Sequence, residues 1–566
     1  MTTTKTVVVV GGVAGGMSFA ARARRLDENA HIIVLERGED VSYANCGLPY
    51  YVGGEIADRG ALIVQTPESL RAALALDVRP RHEVVSLDVA ARSLTAEGPD
   101  GRVELSYDEL VLAPGALAAR PPIPGLDSPR VSTLRTVPDA IRLRGWVEGG
   151  ARRAVVLGAG FIGVEAAEAL AHAGLDVTLV ELAAHVLPPL ESELAVRVTD
   201  ELEALGIRVV TGAGASAVRH GAEADQVELA TGERIDADLV VLSIGVRPDT
   251  GFAEEAGVAA ERGAIVVDER GRTSAAHVWA VGDATLSVDA ATGARRPVAL
   301  AGPANRAGRL VADNMLRPEK ARAIPQPVGT AIVRVGSLTA ALTGANRQAL
   351  DTAGIAYRTL HLHPAQHAGY FPGAEQIHLL VHIAREGGRL LGAQAVGTDG
   401  VDKRIDVLAT ALRAGFAAED LIDLDLAYSP PYGQAKDAVN HTGLVAQNVA
   451  DGTLRLWYAD EVDEVLESAL VLDVRRADEW VTGHLPGALH VPHTELRDRL
   501  DEVRAQAAGR PVRVMCASGV RSAIAHRVLT QAGFDSASLS GGSITLRDHL
   551  RAASRELLTN DEGIPA

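Results

Sequence analysis

Ala154-Val155-Val156-Leu157-Gly158-Ala159-Gly160-Phe161-Ile162-Gly163 runs from four apolar residues straight into a complete Gly-x-Gly-x-x-Gly. The apolar run is what a parallel strand buried on both faces requires. A helical pattern from Glu165 to Ala173 follows, and Val177-Thr178-Leu179-Val180 then closes on Glu181. Strand, glycine turn, helix, strand and terminal acid together form a dinucleotide-binding unit. Backbone N–H groups at the helix start meet a pyrophosphate, and the acid accepts from ribose hydroxyls. Glu181 repels a 2′-phosphate, and Leu182-Ala183-Ala184-His185 offers no Arg or Lys to welcome one, so the expected nucleotide is NADH rather than NADPH.

The same pattern occurs at the start of the chain. Thr6-Val7-Val8-Val9-Val10 leads into Gly11-Gly12-Val13-Ala14-Gly15-Gly16, a helical stretch through Leu26, and His31-Ile32-Ile33-Val34-Leu35 ending on Glu36. Val13 stands where the middle glycine is usual. Two such units imply two nucleotides held close together, a flavin and a nicotinamide, for hydride transfer between them. Thr273 to Asp283 adds an apolar strand ending in Gly282-Asp283, with Asp283 placed to meet a ribityl chain or, more plainly, to be a solvated strand end.

Between the two units lies Ser42-Tyr43-Ala44-Asn45-Cys46-Gly47-Leu48-Pro49-Tyr50, with one of only two cysteines in 566 residues. A dithiol site spaced Cys-x4-Cys would need a second cysteine at position 51, which is Tyr51. If redox chemistry occurs here, Cys46 works alone and the second sulfur comes from the substrate. The other reading is a buried cysteine acting as a small hydrophobe. The Asn, Gly and Pro around it indicate an exposed bend.

The formal net charge of −18, with 73 acidic against 55 basic residues, disfavours nucleic acid as a partner. No apolar run reaches the ~20 residues of a membrane span. Two distant cysteines and an opening Met1-Thr2-Thr3-Thr4-Lys5 without an export signal point to a reducing cytoplasm. No metal site is expected. The length calls for several domains.

The C-terminal part is a separate module. Ala469 to Arg475 reads as a strand, Gly483-His484-Leu485-Pro486-Gly487-Ala488 as a turn, and Val512-Arg513-Val514-Met515 as a second strand. That strand enters Cys516-Ala517-Ser518-Gly519-Val520-Arg521-Ser522, ahead of a helix expected over Ala523 to Ala532. A cysteine in a glycine-containing loop at a helix start, with Arg521 nearby, is suited to anionic sulfur.

These motifs support a resemblance. The two glycine motifs, Gly245-Val246-Arg247-Pro248-Asp249 and Gly282-Asp283 are similar to the flavoprotein disulfide reductases. Ser42 to Pro49 with its single cysteine, Ala301-Gly302-Pro303-Ala304-Asn305-Arg306 and Tyr428-Ser429-Pro430-Pro431-Tyr432-Gly433 resemble the coenzyme A disulfide reductase branch, over residues 6 to about 448. Asp473-Val474-Arg475, Gly483 to Ala488 and the Cys516 loop resemble a rhodanese, whose cysteine carries a persulfide; cysteine phosphatases, with a similar loop, are the other reading.

The resemblance implies an α/β chain with two Rossmann-like dinucleotide-binding domains, an α+β dimerisation domain and a C-terminal α/β rhodanese domain. The FAD domain would be split over 1–120 and 246–324, with the NAD domain at 121–245, dimerisation at 325–449 and rhodanese at 454–566. FAD would meet Gly11, Val13, Ala14, Gly15, Glu36, Arg37, Asn45, Cys46, Val84, Ala113, Gly115, Asp283, Ala301 and Tyr428, and Gly245 would meet one of the two cofactors. NADH would meet Gly158, Gly160, Phe161, Ile162, Gly163 and Glu181. Coenzyme A, as substrate or thiol carrier, would meet Ser18, Arg22, Arg25, Ser42, Asn45, Arg71, Asn305 and Lys436. The family has a lysine near residue 74, where this chain has Leu74 with Arg71 one turn earlier.

Electrons would pass from NADH through FAD to sulfur at Cys46, with Tyr370 and Tyr428 of the partner subunit in a homodimer serving the departing thiolate. Coenzyme A persulfides, polysulfides or coenzyme A disulfide are the implied substrates, with a smaller persulfide the alternative that Leu74 leaves open, and Cys516 is the implied sulfane-sulfur carrier. Related NADH peroxidases and oxidases carry a histidine where this chain has Ala14, which argues against peroxide reduction. A sulfur-responsive carrier or sensor that keeps its nucleotide domains as scaffold is a further alternative.

Overall fold

A computed structural model describes residues 5–560; Met1–Thr4, read above as carrying no export signal, and residues 561–566 lie outside it. The chain divides into two compact units, residues 1–182 with 205–329 and residues 183–204 with 330–566.

The first unit contains two parallel five-stranded sheets of the same design. In one, Thr6–Val10 pairs with His31–Leu35 on one side and Glu109–Leu112 on the other, with Asp77–Arg79 and Val278–Ala280 at the edges. In the other, Arg153–Leu157 lies between Asp176–Val180 and Leu239–Leu242, flanked by Arg208–Val210 and Val131–Thr133. Val7, Val8, Val9, Leu110, Val111 and Leu112 have no exposed surface. Each such side chain contributes roughly 1.5–3 kcal/mol by burial, which is why the apolar runs form central strands. Each sheet also carries a three-stranded antiparallel insert, Glu83–Asp88 to Gly101–Ser106 and Ala215–Arg219 to Arg234–Ala237.

The third glycine of each turn lets its helix sit on its strand. A Cβ on Gly16 would lie 1.9 Å from the Gly11 carbonyl oxygen, and one on Gly163 would lie 1.8 Å from that of Gly158. The helices Ala14–Leu26 and Phe161–His172 therefore start at the strand ends, with their N-termini beside the turns.

The second unit begins with an antiparallel sheet in the order Ala331–Val335, Leu338–Gly344, Leu390–Gly397, His378–Ala384, Tyr357–Leu362. The helix expected over Val401 to Ala414 is present. A parallel five-stranded sheet follows, with Val512–Met515 between Leu470–Asp473 and Ser536–Leu539. The helix after the Cys516 loop begins at Val520, earlier than expected, because Gly519 at φ 93° turns the chain directly into it.

This last module is fitted against the edge strand Tyr357–Leu362 and the helix Ser192–Ala204 of its own chain. His361 Nδ1 lies 2.8 Å from Ser540 Oγ, His363 Nε2 lies 2.9 Å from Thr545 Oγ1, and Arg197 Nε donates to Asp548 Oδ2 at 2.9 Å. No helix among the described residues is long and apolar enough to cross a membrane.

Candidate active site

Gly11 adopts φ 101°, and a Cβ there would come within 2.0 Å of the Ala113 carbonyl oxygen, so only glycine turns the chain here. Gly12 N–H donates to Glu36 Oε2 at 2.7 Å and Gly38 N–H to Oε1 at 2.8 Å. Glu36 thus ties the turn to the neighbouring strand end. In the second unit of the motif, Ala159 N–H donates to Glu181 Oε2 at 2.6 Å, and nothing lies within 4 Å of where a Gly160 Cβ would be. That open backbone beside a helix N-terminus fits a pyrophosphate at the second turn. Arg37 pairs with Asp249 and donates to the Pro114 carbonyl, while Val84 and Ala113 line the same strand ends as Gly11. Gly115 and Gly245 both take positive φ, and Ala301 opens the helix Ala301–Leu316.

Cys46 sits in the single turn Asn45–Gly47, exposed, just ahead of the short helix Leu48–Val52. Ser42 holds a positive φ of 48° and donates its N–H to the Gly12 carbonyl, which ties the cysteine loop to the first glycine turn. Partial desolvation of the thiol above all, then the Glu165 carboxylate, push the Cys46 thiol up; Arg135 opposes them. Tyr50 Oη donates to Glu165 Oε1 at 3.2 Å. Arg135 Nη2 donates to Asp283 Oδ2 at 2.9 Å, and Asn45 Nδ2 reaches the Arg135 carbonyl at 3.5 Å. Arg135 and Glu165 are site residues that the sequence reading does not single out. Glu165 follows the second glycine motif closely enough to have been found; Arg135 carries no local signal.

Ser18, Arg22 and Asn305 are brought together where the helices Ala14–Leu26 and Ala301–Leu316 pack. Ser18 Oγ donates to Asn305 Oδ1 at 2.8 Å, and Arg22 donates to Asp313 Oδ1 at 3.0 and 2.6 Å. Arg22 therefore already has an acidic partner. Arg25 and Arg71 are exposed on their helices.

In the second unit, Tyr370 and Tyr428 are exposed and their hydroxyls lie 3.2 Å apart. That hydrogen bond pushes the Tyr370 phenol up. Lys436 is exposed on the loop beyond Tyr428.

Cys516 has no exposed surface. Gly519 N–H donates to its Sγ at 3.2 Å, and Ser522 Oγ lies 3.3 Å away, itself accepting from Ser538 Oγ at 2.8 Å. Ser543 N–H fixes the Cys516 carbonyl at 2.7 Å, and Gly542 allows that approach because a Cβ there would lie 2.4 Å from the same oxygen. No group of three or more His, Cys, Asp or Glu among the described residues is arranged to hold a metal.

Two dinucleotide cradles with an exposed cysteine between them in sequence define a nucleotide-dependent sulfur oxidoreductase. The chain belongs to the pyridine nucleotide-disulphide oxidoreductase family, matching its model over residues 5–302 and the family's dimerisation domain over 330–439, with a rhodanese-like domain over 458–545. It is an FAD- and pyridine-nucleotide-binding enzyme with a rhodanese domain. A coenzyme A disulfide reductase from Staphylococcus haemolyticus is 32% identical over 447 residues, 78% of this chain and 99% of that one. The crystal structure of reduced Bacillus anthracis CoADR-RHD matches with a TM-score of 0.94 and 39% identity, over 97% of this chain and 98% of that one. An NAD-dependent persulfide reductase from A. fulgidus matches with a TM-score of 0.89 and 37% identity, over 95% and 99%.

Proposed function

We propose that the chain is an NADH-dependent FAD flavoprotein that reduces coenzyme A persulfide, polysulfides or coenzyme A disulfide through Cys46 alone, while Cys516 carries sulfane sulfur. The observation that carries this reading is the exposed, solitary Cys46 in a turn hydrogen-bonded to the first glycine cradle. The likeness of the full chain to a persulfide reductase and to CoADR-RHD supports the choice of substrate.

The Cys46 thiolate attacks the coenzyme A-bound sulfur of the substrate. A Cys46–S–S–coenzyme A bond forms, the substrate S–S bond breaks, and hydrosulfide or a coenzyme A thiolate leaves with the electron pair. Tyr370 and Tyr428, supplied by the partner subunit of a homodimer, give the departing sulfur a proton or hydrogen bond. FAD, when bound, supplies the two-electron link between NADH and this mixed disulfide. Ser18, Asn305, Arg25, Arg71 and Lys436 are the side chains that would orient coenzyme A, with Arg22 shared with Asp313. Glu181, already fixed by the Ala159 N–H, would accept from the NADH ribose and disfavour NADPH.

The test is anaerobic NADH oxidation with coenzyme A persulfide against coenzyme A disulfide, following sulfide release, in wild type, Cys46→Ser and Cys516→Ser. Sulfide release that vanishes in Cys46→Ser, with the polysulfide-fed reaction alone lost in Cys516→Ser, supports the reading. Turnover that survives in Cys46→Ser would defeat it.

A further inference from the structure

The Cys516 pocket has a cation beside it that is already neutralised. Arg521 Nη1 donates to Glu479 Oε2 and Nη2 to Oε1, each at 2.6 Å, a bidentate pair. Each of these two side chains keeps 22% exposure, whereas Cys516 has none, so the pair and not the sulfur meets solvent. Arg521 is the second residue of the helix that the Cys516 loop opens; Glu479 first, and a Cys516 thiolate after it, favour its charged form.

Glu479 is held from its other side as well. Its Oε2 accepts from the Arg476 N–H at 3.1 Å at the start of the short helix Ala477–Trp480. Arg521 above all, with that backbone bond, holds the Glu479 carboxyl down at about 2. Arg476 donates to Asp478 at 3.0 and 2.9 Å and lies more loosely, at 3.7 Å, from Glu479 Oε2. The two arginines here are matched by two carboxylates.

A free guanidinium beside a sulfur nucleophile would give a dianionic donor a bidentate partner. With Glu479 on it, such a donor instead meets a like charge, and repulsion is a common means of discrimination. We propose that Glu479 is a specificity-determining residue of the Cys516 site: it excludes dianionic sulfane-sulfur donors and leaves the pocket to thiol persulfides, which carry one charge at the reacting sulfur. The proposal rests on the reading of Cys516 as the sulfur-accepting residue. With a thiol persulfide, the Cys516 thiolate attacks the outer sulfur. A Cys516–S–S bond forms, the donor's S–S bond breaks, and the donor leaves as its thiolate. With thiosulfate the same step would expel sulfite.

The experiment loads the full-length protein with cysteine persulfide or with thiosulfate and reads one added sulfur on the Cys516 peptide by mass spectrometry, as a rate against donor concentration. Glu479→Gln keeps the shape and the bond from the Arg476 N–H while removing the charge. In wild type, persulfide should load and thiosulfate should lag by at least about 100-fold; Glu479→Gln should raise thiosulfate loading about ten-fold, mainly through KM, and change persulfide loading less than about three-fold. A wild type that takes thiosulfate as readily as persulfide, or a Glu479→Gln protein with unchanged thiosulfate loading, overturns the proposal. A Cys516 that takes sulfur from neither donor in either protein overturns the sulfur-carrier reading itself, and the proposal with it. Thiosulfate loading that falls back as salt is raised in Glu479→Gln, but not in wild type, identifies the effect as electrostatic.

Discussion

The hydroxyls of Tyr370 and Tyr428, 58 residues apart in sequence, lie 3.2 Å from each other on the exposed face of the dimerisation domain. Only one of the two can donate into that bond, so the other keeps its proton free for an incoming group. Tyr370 is held protonated further into the alkaline range than a free phenol. Tyr370→Phe and Tyr428→Phe should each lower kcat for persulfide reduction by about ten- to a hundred-fold, the range of a lost proton donor. Steady-state kinetics on both variants, with circular dichroism to confirm the fold, decides it; full activity in Tyr428→Phe would exclude the role.

Glu165 should control the reactivity of Cys46. Partial desolvation first, and the Glu165 charge after it, disfavour the thiolate. Glu165→Gln removes the charge and keeps an acceptor for Tyr50, so the Cys46 thiol should ionise at lower pH. Iodoacetamide alkylation of Cys46 at pH 7 should quicken by about two- to five-fold, with the whole rate profile moved to lower pH. A profile that does not move would mean that desolvation and Arg135, not Glu165, set the ionisation of Cys46.

Glu181 should set nucleotide choice. Glu181→Ala removes both the ribose acceptor and the anchor of the Ala159 N–H. The ratio of kcat/KM for NADH to that for NADPH should fall by about ten-fold. An unchanged ratio would place the selection elsewhere on the loop.

Acid should loosen the second unit through its histidines. His363 Nδ1 and His378 Nδ1 lie 2.8 Å apart, so one must donate and the other accept, and a second proton breaks the bond. Burial first, and Arg197 after it, hold His378 neutral down to about 3, and His363 is lowered in the same direction. Unfolded imidazoles take up their protons near 6.5. Between those values the native state binds fewer protons than the unfolded chain, so stability falls as pH drops through 6.5. The loss is about 2 kcal/mol at pH 5 for one such group. Melting temperatures from pH 7 to 5 should show this slope, and His378→Asn should flatten it.

What could be read from the sequence was whatever lies close together along the chain. Val7 to Val10 and Val155 to Leu157 announce buried parallel strands, and Gly11 and Gly158 announce turns, because each signal spans only a few residues. The partner relations were not legible for the opposite reason. Arg135 meets Asp283 across 148 positions, Arg22 meets Asp313 across 291, and Arg521 meets Glu479 across 42. Each is an ordinary charged residue until folding supplies its partner. The helix Ser192–Ala204 reads as a continuation of the second nucleotide unit, yet it packs with the C-terminal part through Arg197 and Asp548, a pairing no periodicity encodes.

The seating of the rhodanese module on Tyr357–Leu362 bears on how the second unit comes apart. The S. haemolyticus relative is accounted for almost entirely by 78% of this chain. In this chain His361, His363 and Arg197 each give a polar contact to the added module, and a Cβ on Gly541 would lie 2.7 Å from His361 Cβ. Here the edge strand and the module share side-chain hydrogen bonds, so heat or denaturant should take both apart in one step rather than release the module first.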